Sequence, residues 1–515
     1  MIRKNLRWMA AALIASNLAL ASPSVLLAGG QPDTGTVTTT PIKHVIVIFN
    51  ENISFDHYFA TYPYATNPDG EPAFHARHDT PRVNNLLSGG LLDENPNSTQ
   101  PFRMDTGADS VTCDQNHDYT PEQQAADSGL EDKYPEFTGS SGGCNDYGKG
   151  NGVVMGYFDG NTVQAMWNYA QHYALSDNSY GTMFGPSTVG AINLIAGTTS
   201  LATLEPSADG SKAANAKNAN GNIANSALTG PAIGDPRPFY DNCVATDPTG
   251  SKLYTKIRIK VTGKNVGDLL NAKNLTWGWF QGGFGPTGYD AEGRAICGAH
   301  HAGLAGDDAV NTSGDYIPHH EPFQYFAQTA NQNHVPPSDP KLIGTSSDGA
   351  NHQYDLSAFW TALGEDRLPA VTYLKAAAYQ DAHPGYSDPI DEQNFVVSVV
   401  NAIMNTHYWD DTAIIIAYDD SDGWYDHVLG PVVNQSAVAD DALVAPGNCG
   451  SAATSTQGQC GYGPRLPILV ISSWAKQNYV DNRVVDQSSI LRFIEENWQL
   501  GTIGGNSSDV KAGRL

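Results

Sequence analysis

Two short apolar segments have the pattern of buried strands, and both end abruptly in polar side chains. Residues 43–49 (KHVIVIF) are dense in β-branched residues and lead, after one asparagine, into Glu51 and Asn52. Residues 412–420 (TAIIIAYDD) repeat the pattern and finish in two adjacent aspartates. The sequence therefore predicts two core strands, each of which delivers a pair of oxygen-bearing side chains at its end.

The spacing of apolar positions predicts further helices and strands along the chain. In order, these are a helix over 160–177, a turn leading into a helix over 185–198, a strand over 368–376, a helix over 391–409, a strand over 466–472 and a helix over 488–498. Strands that alternate with helices are typical of a parallel sheet with helices packed against it. The sequence therefore predicts an α/β fold with a mostly parallel central sheet.

Two ranges do not fit this alternation. Residues 64–150 are rich in Asn, Asp, Pro and Gly, and residues 205–310 begin with an Ala/Asn/Gly/Ser-rich stretch and continue rich in Tyr and Gly. We interpret both ranges as loop-rich insertions that form a lid on the sheet, and we expect residues 205–230 to be flexible. The prediction is a single catalytic domain over 29–515.

The amino terminus has the pattern of an export signal. Basic residues at 3, 4 and 7 precede the apolar run WMAAALIASNLALA, and cleavage is expected near residue 21 or 28. No later run approaches 18 unbroken apolar residues, so we expect no stable membrane anchor. The sequence predicts a signal peptide over 1–28 and a periplasmic or secreted protein.

The net charge excludes some classes of binding partner. With 28 basic and 54 acidic residues the net charge is −26, which argues against nucleic acid and anionic membrane surfaces as partners.

Six cysteines in an exported chain predict up to three disulfides, whose pairing the sequence leaves open. The simplest pairing joins sequence neighbours: Cys113 with Cys144, Cys243 with Cys297, and Cys449 with Cys460.

The two polar strand ends indicate a metal site. In parallel α/β sheets ligands bind at the carboxyl ends of strands, so Glu51 and Asn52 should meet Asp419 and Asp420. Clustered carboxylates repel one another unless a cation lies among them. Oxygen ligands favour Ca, Mg or Mn, and nearby histidines would admit Zn or Fe. Either strand end alone could be a solvated turn, but two matching ends favour one divalent metal ion.

Ser187 is a candidate nucleophile. It follows Gly185 and Pro186 at the predicted start of a helix, in the stretch SYGTMFGPSTVGAINL. Free N–H groups and the helix dipole at such a position suit a phosphate or sulfate group. An ordinary N-cap serine has the same spacing, and Thr188 is a rival nucleophile.

Several histidines could supply a general acid or a metal ligand, although each alone is more often structural. The candidates are His117, His319, His320 and His383. We expect His319, His320 or His383 to protonate the leaving oxygen of a phosphate ester.

These motifs occur together in one family. The matching stretches are HVIVIFNENISFDHYFATYP, DQNHDYTPEQQ, SDNSYGTMFGPS, HHEPFQYFA, LPAVTYLKAAAYQDAHPGYSDP and AYDDSDGWYDHV. The chain resembles the bacterial phosphoesterase family of acid phosphatases (respiratory-burst-inhibiting type) and phospholipases C. The resemblance implies a three-layer α/β/α fold that is similar to alkaline phosphatase and sulfatases.

The resemblance also implies roles for individual residues. The family's metal ligands correspond to Glu51, Asn52, Asp419 and Asp420. Ser187 matches the nucleophile of the acid-phosphatase branch and would also be a metal ligand. The four histidines match residues that line the pocket of the family. The first motif departs from the family at Ile53 and Ala60, where Arg and Gly are usual, and this leaves open what replaces the arginine.

We therefore expect an exported metal-dependent acid phosphatase that hydrolyses phosphomonoesters through a phosphoserine intermediate. Its partners would be small-molecule phosphate esters. One alternative is a phospholipase C that cleaves phosphocholine-type phospholipids and binds phospholipid head groups. An alternative of another class is an inert secreted protein that binds a metal or an anion.

Overall fold

The structure is a computed structural model that describes residues 37–105, 112–140, 148–205, 221–243, 257–303, 314–451 and 458–515. Its strands are β1 His44–Asn50, β2 Phe102–Arg103, β3 Gly156–Tyr157, β4 Ala174–Ser176, β5 Ser179–Tyr180, β6 Ala202–Glu205, β7 Thr229–Gly230, β8 Arg237–Pro238, β9 Arg258–Val261, β10 Trp277–Gln281, β11 Gly288–Tyr289, β12 Ala295–Ile296, β13 Gln353–Asp355, β14 Val371–Lys375, β15 Thr412–Tyr418, β16 Ile468–Ile471, β17 Tyr479–Asp481 and β18 Val485–Asp486. Its α-helices are α1 Phe55–Phe59, α2 Leu86–Gly89, α3 Tyr119–Ala126, α4 Tyr134–Phe137, α5 Gln164–His172, α6 Ser187–Ala196, α7 Val266–Ala272, α8 Leu356–Gly364, α9 Pro389–Met404 and α10 Gln487–Trp498.

Eight of these strands form one central sheet in the order β13-β10-β14-β1-β15-β16-β4-β17. Neighbouring strands are parallel except for the two antiparallel pairs that β16 makes with β15 and β4. The two predicted core strands lie side by side, with Asn50 of β1 paired with Tyr418 of β15. Because β14, β1 and β15 are parallel, their carboxyl ends meet at one edge of the sheet.

Side chains of β1 alternate between two apolar cores on opposite faces of the sheet. Val45 and Val47 pack with residues of α6, α7 and α10, whereas Ile46 and Ile48 pack with residues of α5, α8 and α9. Successive side chains of a strand point to opposite faces, so a strand covered on both faces is apolar throughout. Truncation of Ile48 to alanine should cost roughly 2–5 kcal/mol. The two cores confirm the predicted three-layer α/β/α fold.

The other predicted strands and helices form as α6, β14, α9, β16 and α10, but one predicted helix is too long. The range 160–177 forms α5 only as far as His172, and residues 174–176 form β4. Leu175 pairs with Leu469 and Val480 in the central sheet, and this pairing overrides the helical spacing.

The two ranges interpreted as insertions differ in structure. Residues 64–150 carry only short elements where they are described. The range 205–310 contributes three strands to a four-stranded sheet of β7, β6, β9 and β8, but it also contains β10. All five residues of β10 are buried, and the strand pairs with β13 and β14 in the central sheet. Part of this range therefore belongs to the core of the fold.

Two of the predicted disulfides form, and both join sequence neighbours: Cys243–Cys297 and Cys449–Cys460. Cys113 is disulfide-bonded as well, but its predicted partner Cys144 lies outside the described residues. The predicted signal peptide over 1–28 and most of the 205–230 stretch also lie outside them. No described helix has both the length and the apolar character needed to cross a bilayer.

Candidate active site

Three neighbouring parallel strands end together, and each brings a charged side chain to the same place. Lys375 is the last residue of β14, Glu51 follows β1, and Asp419 follows β15. Strand β1 pairs with both neighbours, which aligns the three strand ends. The two polar strand ends therefore meet as predicted, and a lysine from a third strand joins them.

The four side chains predicted as metal ligands lie together and are buried. Glu51 and Asn52 are fully buried, and Asp419 and Asp420 are 3% and 2% exposed. One carboxylate oxygen from each of Glu51, Asp419 and Asp420 lies within 4.8 Å of the other two. Metal–oxygen distances of roughly 2.0–2.6 Å place ligands of one ion about 4–5 Å apart at most, so this spacing fits a single divalent ion.

Asn52 reaches the carboxylates through a turn in the backbone. Its φ of 61° lies in the left-handed region, which asparagine tolerates better than most residues. Its backbone N–H donates to Asp419 Oδ1 at 3.1 Å, and its Nδ2 donates to Asp422 Oδ1 at 2.8 Å. The turn therefore fixes Asn52 against the end of β15.

Two buried oxygens at this place lack hydrogen-bond partners among the described residues. They are Asn52 Oδ1 and Asp420 Oδ2. A buried polar atom without a partner costs about 1–3 kcal/mol, and a bound cation would remove that cost. Amide and carboxylate oxygens are ligands that Ca, Mg and Mn prefer. The residues present therefore fit a divalent metal ion.

Ser187 is the first residue of α6, and its hydroxyl faces the carboxylates. Ser187 Oγ donates to Glu51 Oε2 at 3.1 Å. Helix α6 comes this close because Gly190 packs directly on the end of β15: a Cβ at Gly190 would lie 2.0 Å from the carbonyl oxygen of Asp419. Ser187 is only 1% exposed, yet its hydroxyl points to the polar group and away from the apolar core.

Thr188, the rival nucleophile, faces elsewhere. Its Oγ1 lies 3.2 Å from the hydroxyl of Tyr325, and its backbone N–H donates to Asp235 Oδ1 at 2.9 Å. The tyrosine hydroxyl in turn donates to the carbonyl oxygen of Pro236. Of the two adjacent hydroxyls, that of Ser187 is therefore the one in contact with the carboxylate group.

Burial and mutual repulsion oppose ionisation of the aspartates. Burial, together with the charges of Glu51 and Asp420, raises the pKa of Asp419 well above its usual value. Burial raises the pKa of Asp420 to about 7, and the charge of Glu51 contributes to the rise. A cation among these carboxylates would favour their charged forms.

Glu51 differs because two basic side chains contact it. Lys375 Nζ donates to Glu51 Oε1, and His320 Nδ1 lies 3.0 Å from the same oxygen. Burial acts to raise the pKa of Glu51, but His320 and Lys375 lower it well below its usual value. Burial also lowers the pKa of His320 to about 3, so Lys375 is the partner that remains charged near neutral pH.

The four histidines named from the sequence lie in one group around this site. The rings of His319 and His320 are 4.3 Å apart, and the ring of His383 is 6.3 Å from that of His320 and 6.5 Å from that of His117. Arg237 contacts His319 Nδ1. The structure thus brings together Ser187, the four predicted metal ligands and the four histidines, whereas Thr188 faces elsewhere.

His117 and His319 differ in charge. Burial acts to lower the pKa of His117, but the charge of Asp420 and a hydrogen bond with Asp422, with further help from Asp114, raise it well above the usual value. Burial lowers the pKa of His319 well below the usual value. His117 therefore favours the imidazolium form, whereas His319 favours the neutral form.

Sequence reasoning missed four residues of the site: Lys375, Asp381, Asp422 and Arg237. Lys375 had a usable signal, because a charge at the end of an apolar strand is the same pattern that identified Glu51. Asp381 and Asp422 stand in polar loops whose sequence does not separate them from ordinary turn residues. Arg237 lies in a range interpreted as insertion.

Ile53 stands where the resemblance to the family leads us to expect an arginine. Its side chain is 2% exposed and packs in the apolar core with Ile46 and Ile48. Its backbone N–H donates to the carbonyl oxygen of Asp420 at 3.0 Å. A main-chain hydrogen bond therefore ties this part of the motif to the end of β15 without an arginine.

Known proteins are similar to this chain in sequence. "Non-hemolytic phospholipase C" of Pseudomonas aeruginosa is 24% identical over 481 residues, which cover 88% of this chain and 54% of that protein. "Hemolytic phospholipase C" of the same organism is 22% identical over 507 residues, which cover 93% of this chain and 55% of that protein. The chain thus spans about half the length of these curated relatives.

Similarity to solved structures is weaker. A crystal structure of a protein in the alkaline phosphatase superfamily from Vibrio parahaemolyticus matches 71% of this chain and 66% of that one, with 12% identity and a TM-score of 0.29. The family match is extensive, since it covers residues 42–501 and includes every residue of the site. The chain therefore belongs to the Phosphoesterase family.

Proposed function

We propose that the protein is an exported, metal-dependent acid phosphatase that hydrolyses phosphomonoesters through a phosphoserine intermediate on Ser187. The observation that carries this proposal is the 3.1 Å hydrogen bond from Ser187 Oγ to Glu51 Oε2 at the start of α6. It joins a hydroxyl nucleophile, a carboxylate group suited to a cation, and the positive end of a helix.

A divalent ion held by Glu51, Asn52, Asp419 and Asp420 would lower the pKa of the serine hydroxyl and neutralise charge on the phosphoryl oxygens. The chain itself contributes the helix end, which favours an anion next to Ser187. The protein as a whole has a net charge of −26, so these local positive charges are what would admit a phosphate ester.

The reaction would proceed in two displacements. Ser187 Oγ attacks phosphorus in line, so that an Oγ–P bond forms while the bond from phosphorus to the leaving oxygen breaks. Glu51 is too weak a base to keep the hydroxyl proton, because its pKa, which burial acts to raise, is lowered well below the usual value by His320 and Lys375, so the proton passes to water. The leaving oxygen takes a proton from a histidine. Water then attacks phosphorus and gives a proton to the histidine, while the Oγ–P bond breaks, Oγ regains a proton from solvent and inorganic phosphate is released.

His117 is better suited to donate that proton than His319 or His320, two of the three histidines expected from the sequence. Its Nδ1 lies 3.2 Å from Asp422 Oδ1 and 3.5 Å from Asp114 Oδ1, and both carboxylates favour the protonated ring. Arg237 can only donate to His319 Nδ1, so His319 is held neutral with its proton on Nε2. That form can orient a phosphoryl oxygen but is a poor acid.

Phospholipase C activity is the second candidate, because the curated relatives named above are phospholipases C. The serine at position 187 favours the phosphatase, since the resemblance assigns serine to the phosphatase branch and threonine to the phospholipases. Both activities would use the same nucleophile and ion, so the substrate must decide between them.

A three-substrate assay tests the proposal. Hydrolysis of p-nitrophenyl phosphate, p-nitrophenyl phosphorylcholine and p-nitrophenyl sulfate should be measured with and without a chelator. The phosphate monoester should be preferred by at least about tenfold in kcat/KM, and the chelator should abolish turnover. Preference for the choline ester would replace the phosphatase with the phospholipase, and failure of a folded, metal-loaded protein on all three would favour the inert binding protein.

A further inference from the structure

Glu51 belongs to two different groups of possible cation ligands. The first is the group of Glu51, Asp419 and Asp420 described above. The second consists of Glu51, His320 and Asp381, whose ligand atoms also lie within 4.8 Å of one another. The two groups share one carboxylate, which is the arrangement of two neighbouring cation positions bridged by a glutamate.

The second group has unused ligand atoms of its own. His320 and Asp381 are 2% and 1% exposed, and His320 Nδ1 lies 3.0 Å from Glu51 Oε1 and 3.8 Å from Asp381 Oδ2. Neither ring nitrogen of His320 nor Asp381 Oδ2 has a hydrogen-bond partner among the residues that the structure describes. Nearly every buried polar atom in a native protein is paired, so these three atoms are unusual and are free to act as ligands of a cation.

A cation from the chain itself already holds the carboxylate that this group shares. Lys375 Nζ contacts Glu51 Oε1, the same oxygen that His320 approaches. The lysine side chain is 1% exposed and comes from the end of β14, which is fixed in register beside β1. The lysine pairs with Glu51 and not with Asp381, so it competes for the shared oxygen and leaves Asp381 Oδ2 without a hydrogen-bond partner in the described part of the chain.

We propose that Lys375, by engaging Glu51 Oε1, keeps a second divalent ion out of this group, so that the protein binds one divalent ion, and that removal of its ammonium group turns Glu51, His320 and Asp381 into a second divalent-metal site. This inference rests on the metal site of the proposed function and not on which ester the protein hydrolyses. It requires that the two positions differ in their occupant although they share a ligand.

The two oxygens of Glu51 explain what the lysine contributes. Oε1 is engaged by Lys375, while Oε2 accepts the hydrogen bond from Ser187. A fixed ammonium group therefore orients the carboxylate toward the nucleophile whether or not metal is present. Lys375 is thus a positioning residue that acts on Ser187 through Glu51.

Metal stoichiometry tests the proposal directly. Purified full-length protein is stripped with a chelator, dialysed against Mn²⁺, and analysed for bound manganese per chain. We expect one ion for the wild type, two for Lys375→Met, and one for Lys375→Arg, which keeps a cation in place. Asp381→Asn introduced into Lys375→Met should return the number to one.

Control experiments show whether a change in the number of bound manganese ions comes from the site itself or from the loss of any lysine or of the fold. Lys260→Met removes a lysine that pairs with Glu205 outside the site and should leave one ion. Near-ultraviolet circular dichroism checks that each variant is folded. Two ions on the wild type would overturn the proposal, as would one ion on a folded Lys375→Met.

If Lys375→Met does not fold, Lys375→Gln, which removes the charge but keeps a hydrogen-bond donor, takes its place and should bind two ions. One ion on a folded Lys375→Gln would refute the proposal, as would two ions on the wild type. The readout uses no substrate, so a protein that binds one Mn²⁺ but hydrolyses no phosphate ester would refute the proposed function and leave this inference intact.

Discussion

Glu51 and Ser187, 136 residues apart in the chain, are joined by a hydrogen bond of 3.1 Å between the serine Oγ and the glutamate Oε2. One residue follows the central strand of the sheet and the other begins a helix on one face of that sheet. The contact depends on β1 ending beside β15 and on α6 packing against the end of β15. The fold thus creates the site by bringing the end of a strand and the start of a helix together at one edge of the sheet.

The serine contact predicts how the nucleophile should respond to mutation. Ser187→Ala should lower kcat for p-nitrophenyl phosphate by at least about a thousandfold, because the covalent route is lost. Thr188→Val, which removes the neighbouring hydroxyl bound to Tyr325, should retain most activity. Rapid-quench trapping should find covalent phosphate on the wild type and none on Ser187→Ala. Equal activity of Ser187→Ala and wild type would exclude Ser187 as nucleophile.

Metal binding should be visible as stabilisation of the folded state. Addition of a divalent ion to the chelated protein at about 100 times its Kd should contribute about 2.7 kcal/mol and raise Tm. Asp420→Asn removes a ligand charge, so the same addition should raise Tm much less. Asp69→Asn, a change at an exposed aspartate, should respond like the wild type. An equal shift for Asp420→Asn would show that the ion binds elsewhere.

The sequence sufficed for residues whose position follows from local pattern. Apolar runs identified β1 and β15, and the rule that ligands gather at carboxyl ends of parallel strands brought Glu51 and Asp419 together. Ser187 was found because Gly-Pro before an apolar helix predicts a helix start. These inferences need only the strand direction and a helix boundary.

Contacts between distant strands could not be predicted, because they depend on the order of the strands in the sheet. Lys375 reaches Glu51 because β14 lies beside β1, although more than 300 residues separate the two strands in the chain. A single sequence does not disclose which strands are neighbours. Leu175 was placed in a helix for the same reason, since its partners in β16 and β17 come about 300 residues later.

His117 should matter most for substrates with poor leaving groups. A general acid assists the departing oxygen, and p-nitrophenolate leaves readily without a proton. His117→Asn should therefore lower kcat/KM for an alkyl phosphate by roughly a hundredfold or more, and less for p-nitrophenyl phosphate. The matched control is His407→Asn, because His407 pairs with Asp366 at the surface. Equal losses on both substrates would argue for a binding role of His117.

The buried pair of Asp241 and His334 should make stability depend on pH. Burial acts to raise the pKa of Asp241, but the charge and hydrogen bond of His334, with a hydrogen bond from Tyr316, lower it below the usual value. A lowered pKa means that the carboxylate stabilises the fold above its unfolded pKa of about 3.9, and that this is lost as pH falls through the folded pKa.

Asp241→Asn should therefore lower the free energy of unfolding by roughly 1–3 kcal/mol at pH 7, because it removes a buried carboxylate that is hydrogen-bonded to Tyr316 and His334. The difference from wild type should shrink toward pH 3. Urea denaturation at several pH values measures both effects. Asp366→Asn removes the corresponding partner of an exposed histidine and should change stability little at any pH. A pH-independent loss for Asp241→Asn would point to packing as the cause.

Gly190 should be essential for the geometry of the nucleophile. A Cβ at this position would lie 2.0 Å from the backbone oxygen of Asp419, so Gly190→Ala must push α6 away from the end of β15. The shift would lengthen the contact between Ser187 and Glu51, and a displacement of about 1 Å can cost roughly a hundredfold in rate. Overpacking should also cost about 1–3 kcal/mol of stability. Gly364→Ala, at a helix position where the added Cβ meets nothing within 4 Å, is the matched control and should leave activity unchanged. If Gly190→Ala kept full activity, close packing of α6 on β15 would not be what positions the serine.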